Sequence, residues 1–295
     1  MVNNWFIRKR SLGMGLVISA GGLGGFLFPP LATWLISTFG LHMAWLALAI
    51  IQLACAVLIG GLILVRNGPE DMGQLPDGIS NAHANEKEET TGNGPQVYQS
   101  SMDWQTRQAI RSPTTWLIIT LCAANFLAIG TMTAHQVAYL KDIGFSPIVA
   151  AMALGLIPGM SILGRLGFGF LGVRFEVRHL AIASFIIQVA ALIILLTTKT
   201  LLLIYIYATL FGISYGALVV ALPTFIGAYY GRTHYAQILG LIFPLAIVAE
   251  AAGPIVAGAI NDAMGTYIPA FVIITGFSSI GLLCAILAYP PTSPE

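Results

Sequence analysis

Long apolar segments alternate with short polar ones along most of the chain. Each apolar segment has the roughly 20 residues that a helix needs to cross the hydrocarbon core of a membrane. Eight such segments predict membrane-spanning helices, at residues 11–36, 43–65, 113–134, 146–171, 179–198, 200–226, 236–260 and 268–289. The pattern therefore predicts an all-α, polytopic helical membrane protein.

One long polar segment, residues 67–112, interrupts this pattern. The Asn, Glu, Thr and Gly residues of its stretch NAHANEKEETTGNG have no apolar surface to bury, which predicts a flexible linker. The later stretch MDWQTRQAIRSPTTW predicts a short helix along the membrane surface, because Pro113 can start the next span.

The first apolar segment is rich in glycine and follows basic residues, so two other interpretations arise. A secretory signal has an apolar region of about 7–15 residues, whereas this segment is uncharged from Ser11 past Trp34. A dinucleotide-binding loop requires G-x-G-x-x-G, but Gly22 and Gly24 are followed three residues later by Leu27. A transmembrane helix is the interpretation that fits.

Glycine and proline positions predict packing faces and kinks within the spans. In the first span, Gly21 and Gly25 form a pair that lets two helices approach closely, and Pro29 is expected to kink the helix. Gly253 and Pro254 are expected to play the same roles in the seventh span. Further pairs and prolines occur at Gly155/Gly159, Gly212/Gly216, Pro158, Pro223 and Pro244.

A spacing of glycine and proline recurs between the first and the seventh span. The separations within Gly15, Pro29 and Gly40 are repeated in a second set, Gly240, Pro254 and Gly265. Because the two spans are six apart, both copies run in the same direction through the membrane. Parallel repeats occur in transporters whose halves are related by an axis along the membrane normal. With a six-helix repeat unit, the first span is the fifth of its half, so we expect the chain to be N-terminally incomplete.

Composition supports a membrane protein and argues against several other classes. Only 8% of the residues are charged and the mean hydropathy is +0.85, against about 25% charged residues in a soluble domain. The net charge of +1 gives no reason to expect a nucleic-acid partner. Cys55, Cys122 and Cys284 fall inside apolar segments, which argues against a disulfide framework or a metal cluster, and no cofactor is expected.

The distribution of positive charge predicts the orientation in the membrane. Of the 13 Lys and Arg residues, all but Lys141 and Lys199 fall on one predicted side. Cytoplasmic loops collect positive charge. We therefore expect both termini and the linker to face the cytoplasm, and the protein to lie in a cell membrane (inner or plasma).

Glu250 is the only acidic residue deep within a predicted span. Ala246, Gly253 and Ala257 share its helix face, so this face is expected to pack against another helix. A carboxylate in such a place suits proton coupling or contact with a cation. The alternative is a neutral, hydrogen-bonded acid that fixes helix packing.

Three further polar side chains are candidates for a substrate or ion pathway. His135, at the end of the third span, is a proton carrier or anion contact, or else an interfacial histidine. Asn125, in mid-span, can donate to a substrate carboxylate or to a neighbouring helix. Tyr215 can offer its hydroxyl to a central cavity or pack within the bundle. No catalytic residue is predicted, since the sequence lacks H-E-x-x-H and G-x-S-x-G motifs.

Three stretches resemble one branch of the major facilitator superfamily, that of the oxalate/formate antiporters and monocarboxylate porters. WFIRKRSLGMGL is similar to the turn before the fifth helix of that branch, and RNGPEDMGQLPDG to the opening of its central loop. GRLGFGFLGVRFEVRHL resembles its loop between helices eight and nine. The resemblance covers nearly the whole chain and implies helices 5–12 of a twelve-helix fold, with alternating access and a central site.

The resemblance also implies a division of the chain and a gating loop. The parts are the last two helices of the N-terminal bundle (1–66), a cytoplasmic central linker (67–112), a C-terminal six-helix bundle (113–289) and a tail (290–295). Arg165, Arg174 and Arg178 are expected to cluster at one cytoplasmic loop and gate, with positive-inside charge as the alternative. Two features depart from the branch: Val173 replaces its usual acidic residue, and Arg165 near a span end argues against oxalate as substrate.

Together these features predict secondary active transport of a small solute by alternating access, as a symporter or antiporter. The expected partners are a monocarboxylate or related organic anion, protons and the lipid bilayer, and a full-length protein is expected to be a monomer. Two alternatives stay open: a non-transporting, truncated remnant of such a transporter, and a membrane-embedded enzyme.

Overall fold

The computed structural model describes residues 5–6, 10–61, 98–100 and 104–291, and these residues form helices without any strand. This confirms the prediction of an all-α protein. A π-helix, Ala56–Gly60, continues the first helix. The α-helices are α1 (Arg10–Cys55), α2 (Thr106–Arg111), α3 (Pro113–Asp142), α4 (Pro147–Leu171), α5 (Val177–Thr197), α6 (Leu201–Tyr230), α7 (Tyr235–Met264) and α8 (Ile268–Leu287).

Seven helical segments of the described chain are long and apolar enough to cross a membrane, namely residues 34–58 and helices α3 to α8. The prediction of a polytopic membrane protein is therefore confirmed. The first predicted span, residues 11–36, is helical within α1 but is not one of these seven. The other predicted spans each overlap one of the seven.

Helix α1 consists of two arms that meet at Gly40. This residue has φ 79° and ψ 166°, a backbone conformation that interrupts the helix and that glycine adopts without a Cβ clash. Gly265, its counterpart in the sequence repeat, also has a positive φ of 70° and ends α7. At Gly25 and Pro29 the structure describes only the helical backbone. The packing expected at Gly25 and the kink expected at Pro29 therefore stay predictions.

Helix α3 extends beyond its predicted end at residue 134 and continues to Asp142. The prediction was wrong here because the polar residues that suggested an end are buried inside the bundle. Gln136 and Tyr139 are both buried, and the Tyr207 hydroxyl donates a hydrogen bond to Gln136 Oε1 at 2.8 Å. A paired polar group does not need water, so the helix can continue.

The short helix predicted before Pro113 is present as α2. Ala109 on its inner face is fully buried, and Thr106 Oγ1 hydrogen-bonds to Gln237 Oε1 of α7 at 2.9 Å. Residues 62–97 and 101–103, which include most of the predicted linker, lie outside the described residues, as do residues 292–295 of the predicted tail.

Helices α3, α4 and α6 form the middle of the bundle. Helix α4 packs between α6 and the N-terminal arm of α1, whereas α3 carries α7 on one side and α8 on the other. Helix α5 packs against α6 and α8. The large buried side chains Phe211 and Phe225 on α6, with Ile118 and Leu121 on α3, fill the space between these layers.

Candidate functional site

Glycines bring the backbones of α4 and α6 into direct contact. A Cβ at Gly164 would overlap the Ile213 carbonyl of α6, and a Cβ at Gly216 would overlap the Ser161 carbonyl of α4. A Cβ at Gly212 would lie 2.6 Å from the Ile157 carbonyl oxygen. The predicted close approach at Gly212 and Gly216 is therefore present.

Helix α4 meets the N-terminal arm of α1 in the same way. A Cβ at Gly15 would lie 2.7 Å from the Arg165 carbonyl oxygen, and one at Gly169 would lie 3.0 Å from the Ser11 carbonyl oxygen. Small residues of this kind let helices associate without bulky side chains between them. The result is a compact junction of α1, α4 and α6.

Arg165 lies inside this junction, about two turns before the end of α4. Its side chain is only 7% exposed, and Nη1 donates a hydrogen bond to the Ile18 carbonyl oxygen of α1 at 2.9 Å. Its Nε has no hydrogen-bond partner among the described residues, and no carboxylate there forms an ion pair with it. A buried guanidinium with donors to spare is able to hydrogen-bond an anion.

Gly22 of α1 makes room for the Arg165 head group. A Cβ at this position would lie 2.9 Å from Nη1, so a larger residue would displace the guanidinium. Gly21, one of the predicted packing glycines, is also close to Nη1, at 3.7 Å from a Cβ built on it. Gly22 was not singled out from the sequence as a site residue, although its adjacency to Gly21 in a glycine-rich span was a usable signal.

Tyr215 of α6 lies beside this arginine. The guanidinium carbon of Arg165 lies 5.8 Å from the centre of the Tyr215 ring. The structure thus brings together two of the predicted site residues, one from α4 and one from α6.

Glu250 lies where α7 crosses α3, and its side chain is half-buried. It lines a cavity of about 440 Å³ together with Gly130, Thr133 and Ala134 of α3. No cation of the described chain lies within ion-pair distance of its carboxylate. The carboxylate is therefore available to a proton or a solute in the cavity.

The small residues that share the Glu250 face of α7 are buried. These are Ala246, Gly253 and Ala257, and a Cβ at Gly253 would lie 2.7 Å from the Leu127 carbonyl oxygen of α3. On the opposite helix, a Cβ at Gly130 would overlap the Glu250 carbonyl. Pro254 has no N–H to donate to that carbonyl along the helix. Gly130 thus leaves room for a carbonyl group that α7 leaves without its helical donor.

His135 contacts α7 at Pro254. Its Nε2 lies 2.9 Å from the Pro254 carbonyl oxygen, which can only accept, so Nε2 is the donor. Its ring centre lies 5.1 Å from that of Tyr267. The sequence suggested a histidine at the end of a helix. Both contacts of His135 are instead inside the protein, and its helix continues to Asp142.

Asn125 lies in the middle of α3 with 2% of its surface exposed. Its Oδ1 has no hydrogen-bond partner within the described part of the chain. The structure does not place it in the lining of the cavity beside Glu250. Asn125 is therefore a buried polar residue outside that cavity.

The three arginines expected at a gating loop are not clustered. Arg165 points into the bundle, Arg174 is exposed, and Arg178 donates through Nε to the Ile286 carbonyl oxygen of α8 at 3.1 Å. The guanidinium carbon of Arg178 also lies 3.5 Å from the Tyr289 ring centre. The three arginines are close in sequence, which suggested one cluster, but the helix face that carries Arg165 is turned into the bundle. Each arginine has its own surroundings.

Not every predicted glycine pair mediates packing. A Cβ at Gly155 or Gly159 would meet no atom within 4 Å, so these residues face open space on α4. Gly130 and Gly164, which do mediate contacts, were not singled out from the sequence. Gly164 has the larger Met160 and Phe168 four residues away, so no small-xxx-small pair identified it. Gly130 forms such a pair with Ala134, which was a usable signal.

Comparison with known proteins places the chain in a family. A family model described as the Major Facilitator Superfamily matches residues 1–176 and 160–295. The chain belongs to the major facilitator superfamily. This major facilitator protein is accordingly a multi-pass membrane protein, consistent with its seven candidate spans.

Individual relatives of this major facilitator protein are distant but align along nearly all of it. Monocarboxylate transporter 13 of Rattus norvegicus is 25% identical over 289 residues, which are 95% of this chain and 60% of the relative. Monocarboxylate transporter 12 of Mus musculus is 25% identical over 293 residues, with the same coverage. MFS transporter asaE of Aspergillus flavus is 25% identical over 272 residues, which are 90% of this chain and 55% of the relative. The chain thus spans about 60% of the length of the monocarboxylate transporters that it matches.

Proposed function

We propose that this chain carries the anion-binding helices of a secondary transporter that moves a small monocarboxylate across a cell membrane by alternating access. Family membership and the names of the relatives support transport and a monocarboxylate substrate. The single observation that carries the proposal is Arg165, a buried guanidinium without an acidic partner in the described chain.

The chemistry of Arg165 suits a carboxylate. A guanidinium is planar and presents its donors as a fork that matches the two oxygens of a carboxylate. In this chain one donor is used by the Ile18 carbonyl, and the Tyr215 ring lies nearby. A substrate carboxylate would supply the charge partner that burial of an arginine requires.

The buried cations of the described chain favour a substrate with one carboxylate group over a substrate with two. Arg10 and Arg165 are the buried cations of the described chain, and Arg10 is the first residue of α1. Arg165 is thus the one buried cation within a transmembrane helix there. A dicarboxylate would leave its second charge without a buried cationic partner in these helices, which is unfavourable at low dielectric.

Alternating access requires that substrate binding and helix movement affect each other. The hydrogen bond from Arg165 to Ile18 crosses the contact between α4 and α1. A carboxylate bound by the remaining donors of Arg165 would draw the guanidinium toward itself and weaken the contact. Binding would thereby favour the state in which α1 and α4 move apart.

Glu250 is the proposed proton site. It faces a cavity and has no cationic partner in the described helices. Cotransport of a proton with a monocarboxylate moves no net charge.

The test is uptake of radiolabelled L-lactate by proteoliposomes with an acidic exterior, together with the thermal stabilisation of the purified protein by lactate. Arg165→Gln is expected to reduce uptake about 10- to 100-fold, because a charge-assisted hydrogen bond is lost, and to remove the stabilisation by lactate. Arg165→Lys keeps the charge but not the fork and is expected to be intermediate.

Lys199→Gln is the matched control, because it removes an exposed positive charge and should leave uptake unchanged. A wild-type protein that is neither stabilised by lactate nor active in uptake would contradict the proposal. Equal stabilisation of the wild type and Arg165→Gln by lactate would place the anion elsewhere.

A further inference from the structure

A second concave surface lies between α3, α7 and α8, and neither Arg165 nor Glu250 lines it. This groove has a volume of about 430 Å³. Helices α7 and α8 each pack along α3 but touch each other little, and they converge at the turn near Gly265. The groove is therefore closed at that end, with α3 as its floor.

The lining of the groove is suited to a hydrocarbon chain. Its side chains are apolar apart from Thr120 and Thr131. Both hydroxyls donate to carbonyl oxygens of their own helix, those of Trp116 and Leu127, at 2.9 Å. No hydroxyl of the lining is thus left to donate to a polar ligand, and the lining contains no charged side chain, in contrast to the cavity that holds Glu250.

The floor of the groove is longer than the hydrocarbon part of one leaflet is thick. It runs along α3 from Trp116 to Thr131, about 22 Å at 1.5 Å per residue. The hydrocarbon core of a bilayer is about 30 Å thick, so one leaflet contributes about half of that. The groove is therefore long enough to take an acyl chain of one leaflet.

Positive charge lies at the other end of the groove. Helix α2 leads directly into α3, the floor helix, and hydrogen-bonds to Gln237 at the start of α7, so it lies beside the ends of the floor helix and of one wall helix. Arg107 and Arg111 are both exposed and, four residues apart, share one face of α2. Trp116, a residue type common at membrane interfaces, lines the groove one turn into α3.

We propose that the groove holds an acyl chain of an anionic phospholipid, with its headgroup bound by Arg107 and Arg111. The positive charge of the lipid-binding face agrees with the orientation predicted from the sequence, in which α2 faces the cytoplasm. Anionic lipids give the cytoplasmic leaflet its negative surface potential. The chain fits the apolar groove and the headgroup supplies the selectivity.

The test uses full-length protein in which Trp116 is the one remaining tryptophan, the others being replaced by phenylalanine, in phosphatidylcholine bilayers. Quenching of Trp116 by brominated phosphatidylglycerol and brominated phosphatidylcholine gives the relative binding constant of the two lipids. Phosphatidylglycerol is expected to bind more tightly, and this preference should fall about fivefold for each arginine in Arg107→Gln and Arg111→Gln.

Two controls separate the headgroup from the chain. Lys141→Gln with Lys199→Gln removes as much charge from exposed positions outside α2 and should leave the preference unchanged. Ala252→Phe fills the groove and should reduce quenching by both lipids, whereas Ala183→Phe, on the exposed side of α5, should not.

Three results would overturn the proposal. Equal binding constants for the two lipids, or a preference that survives loss of both arginines, would remove the headgroup site. Displacement of brominated phosphatidylglycerol by soluble glycerol phosphate would show a headgroup site without a chain site. A lower molar mass for Ala252→Phe by light scattering, with quenching unchanged, would mean that a second copy of the chain occupies the groove.

Discussion

The junction of α4 with α6 and the junction of α3 with α7 are built alike but hold opposite charges. In both, a glycine on one helix leaves room for a backbone carbonyl of the other, at Gly216 in the first and at Gly130 in the second. Arg165 at the first junction is 7% exposed and hydrogen-bonded to α1. Glu250 at the second is half-buried beside a cavity of about 440 Å³.

The difference shows that the same kind of glycine contact between two helices can occur in two chemical environments. Around Arg165 a third helix, α1, closes the junction and supplies a carbonyl acceptor. Beside Glu250, the described chain leaves the space between α3 and α7 open. A closed, positive site suits selection of an anion, and an open, negative one suits exchange of protons. We therefore expect changes at the two junctions to affect different properties of the protein.

The largest effect is expected from a methyl group added at the closed junction. In Gly216→Ala the new Cβ would overlap the Ser161 carbonyl, so α4 and α6 must separate, which we expect to cost about 2–3 kcal/mol of unfolding free energy. Gly130→Ala at the open junction should cost a similar amount, because its Cβ would overlap the Glu250 carbonyl. Unfolding in mixed detergent micelles gives both values.

Gly155→Ala is the matched control for these substitutions. It adds the same methyl group to α4 at a position with no atom within 4 Å of the new Cβ, so no loss of stability is expected. Unfolding free energies that are equal for all three variants would show that the glycine contacts do not hold the junctions together.

The sequence predicted the helices better than it predicted their faces. Long apolar segments mark spans because no other element satisfies its backbone inside a membrane, and the spans from residue 113 onward are helices as predicted. The inward face of a span is harder to find, since lipid and protein interior are equally apolar. Gly155 and Gly159 were expected to pack and face open space for this reason.

A rare polar residue marks a face more reliably than glycine does. The burial of Ala246, Gly253 and Ala257 followed from the position of Glu250, since a carboxylate avoids lipid and its helix face must be turned inward. The same reasoning applied to Arg165 would have predicted its place inside the bundle. Its closeness in sequence to Arg174 suggested a loop instead.

Removal of the carboxyl group tests the open junction without adding volume. Glu250→Gln is expected to reduce proton-driven lactate uptake about tenfold or more, because the amide cannot gain or lose a proton. Exchange of lactate between the two sides at equal pH should continue, since Arg165 is intact. Both rates are measured in proteoliposomes with and without a pH gradient.

Asp262→Asn is the control for this change, because it neutralises an exposed acid near the end of the same helix. Its uptake should respond to the pH gradient as the wild type does. If Glu250→Gln leaves gradient-driven uptake unaltered, Glu250 is a packing residue. The proposed difference in function between the two junctions would then be wrong.

The smallest effect is expected at His135, which borders the open junction. Its Nε2 donates to the Pro254 carbonyl oxygen, so His135→Phe loses one hydrogen bond, worth about 1 kcal/mol of unfolding free energy. The aromatic contact with Tyr267 is retained by the phenyl ring. Because the ring already has a backbone partner, we expect the pH dependence of lactate uptake to stay that of the wild type. A shift in that dependence, with stability unchanged, would make His135 a proton carrier and would extend the open junction from Glu250 along α3.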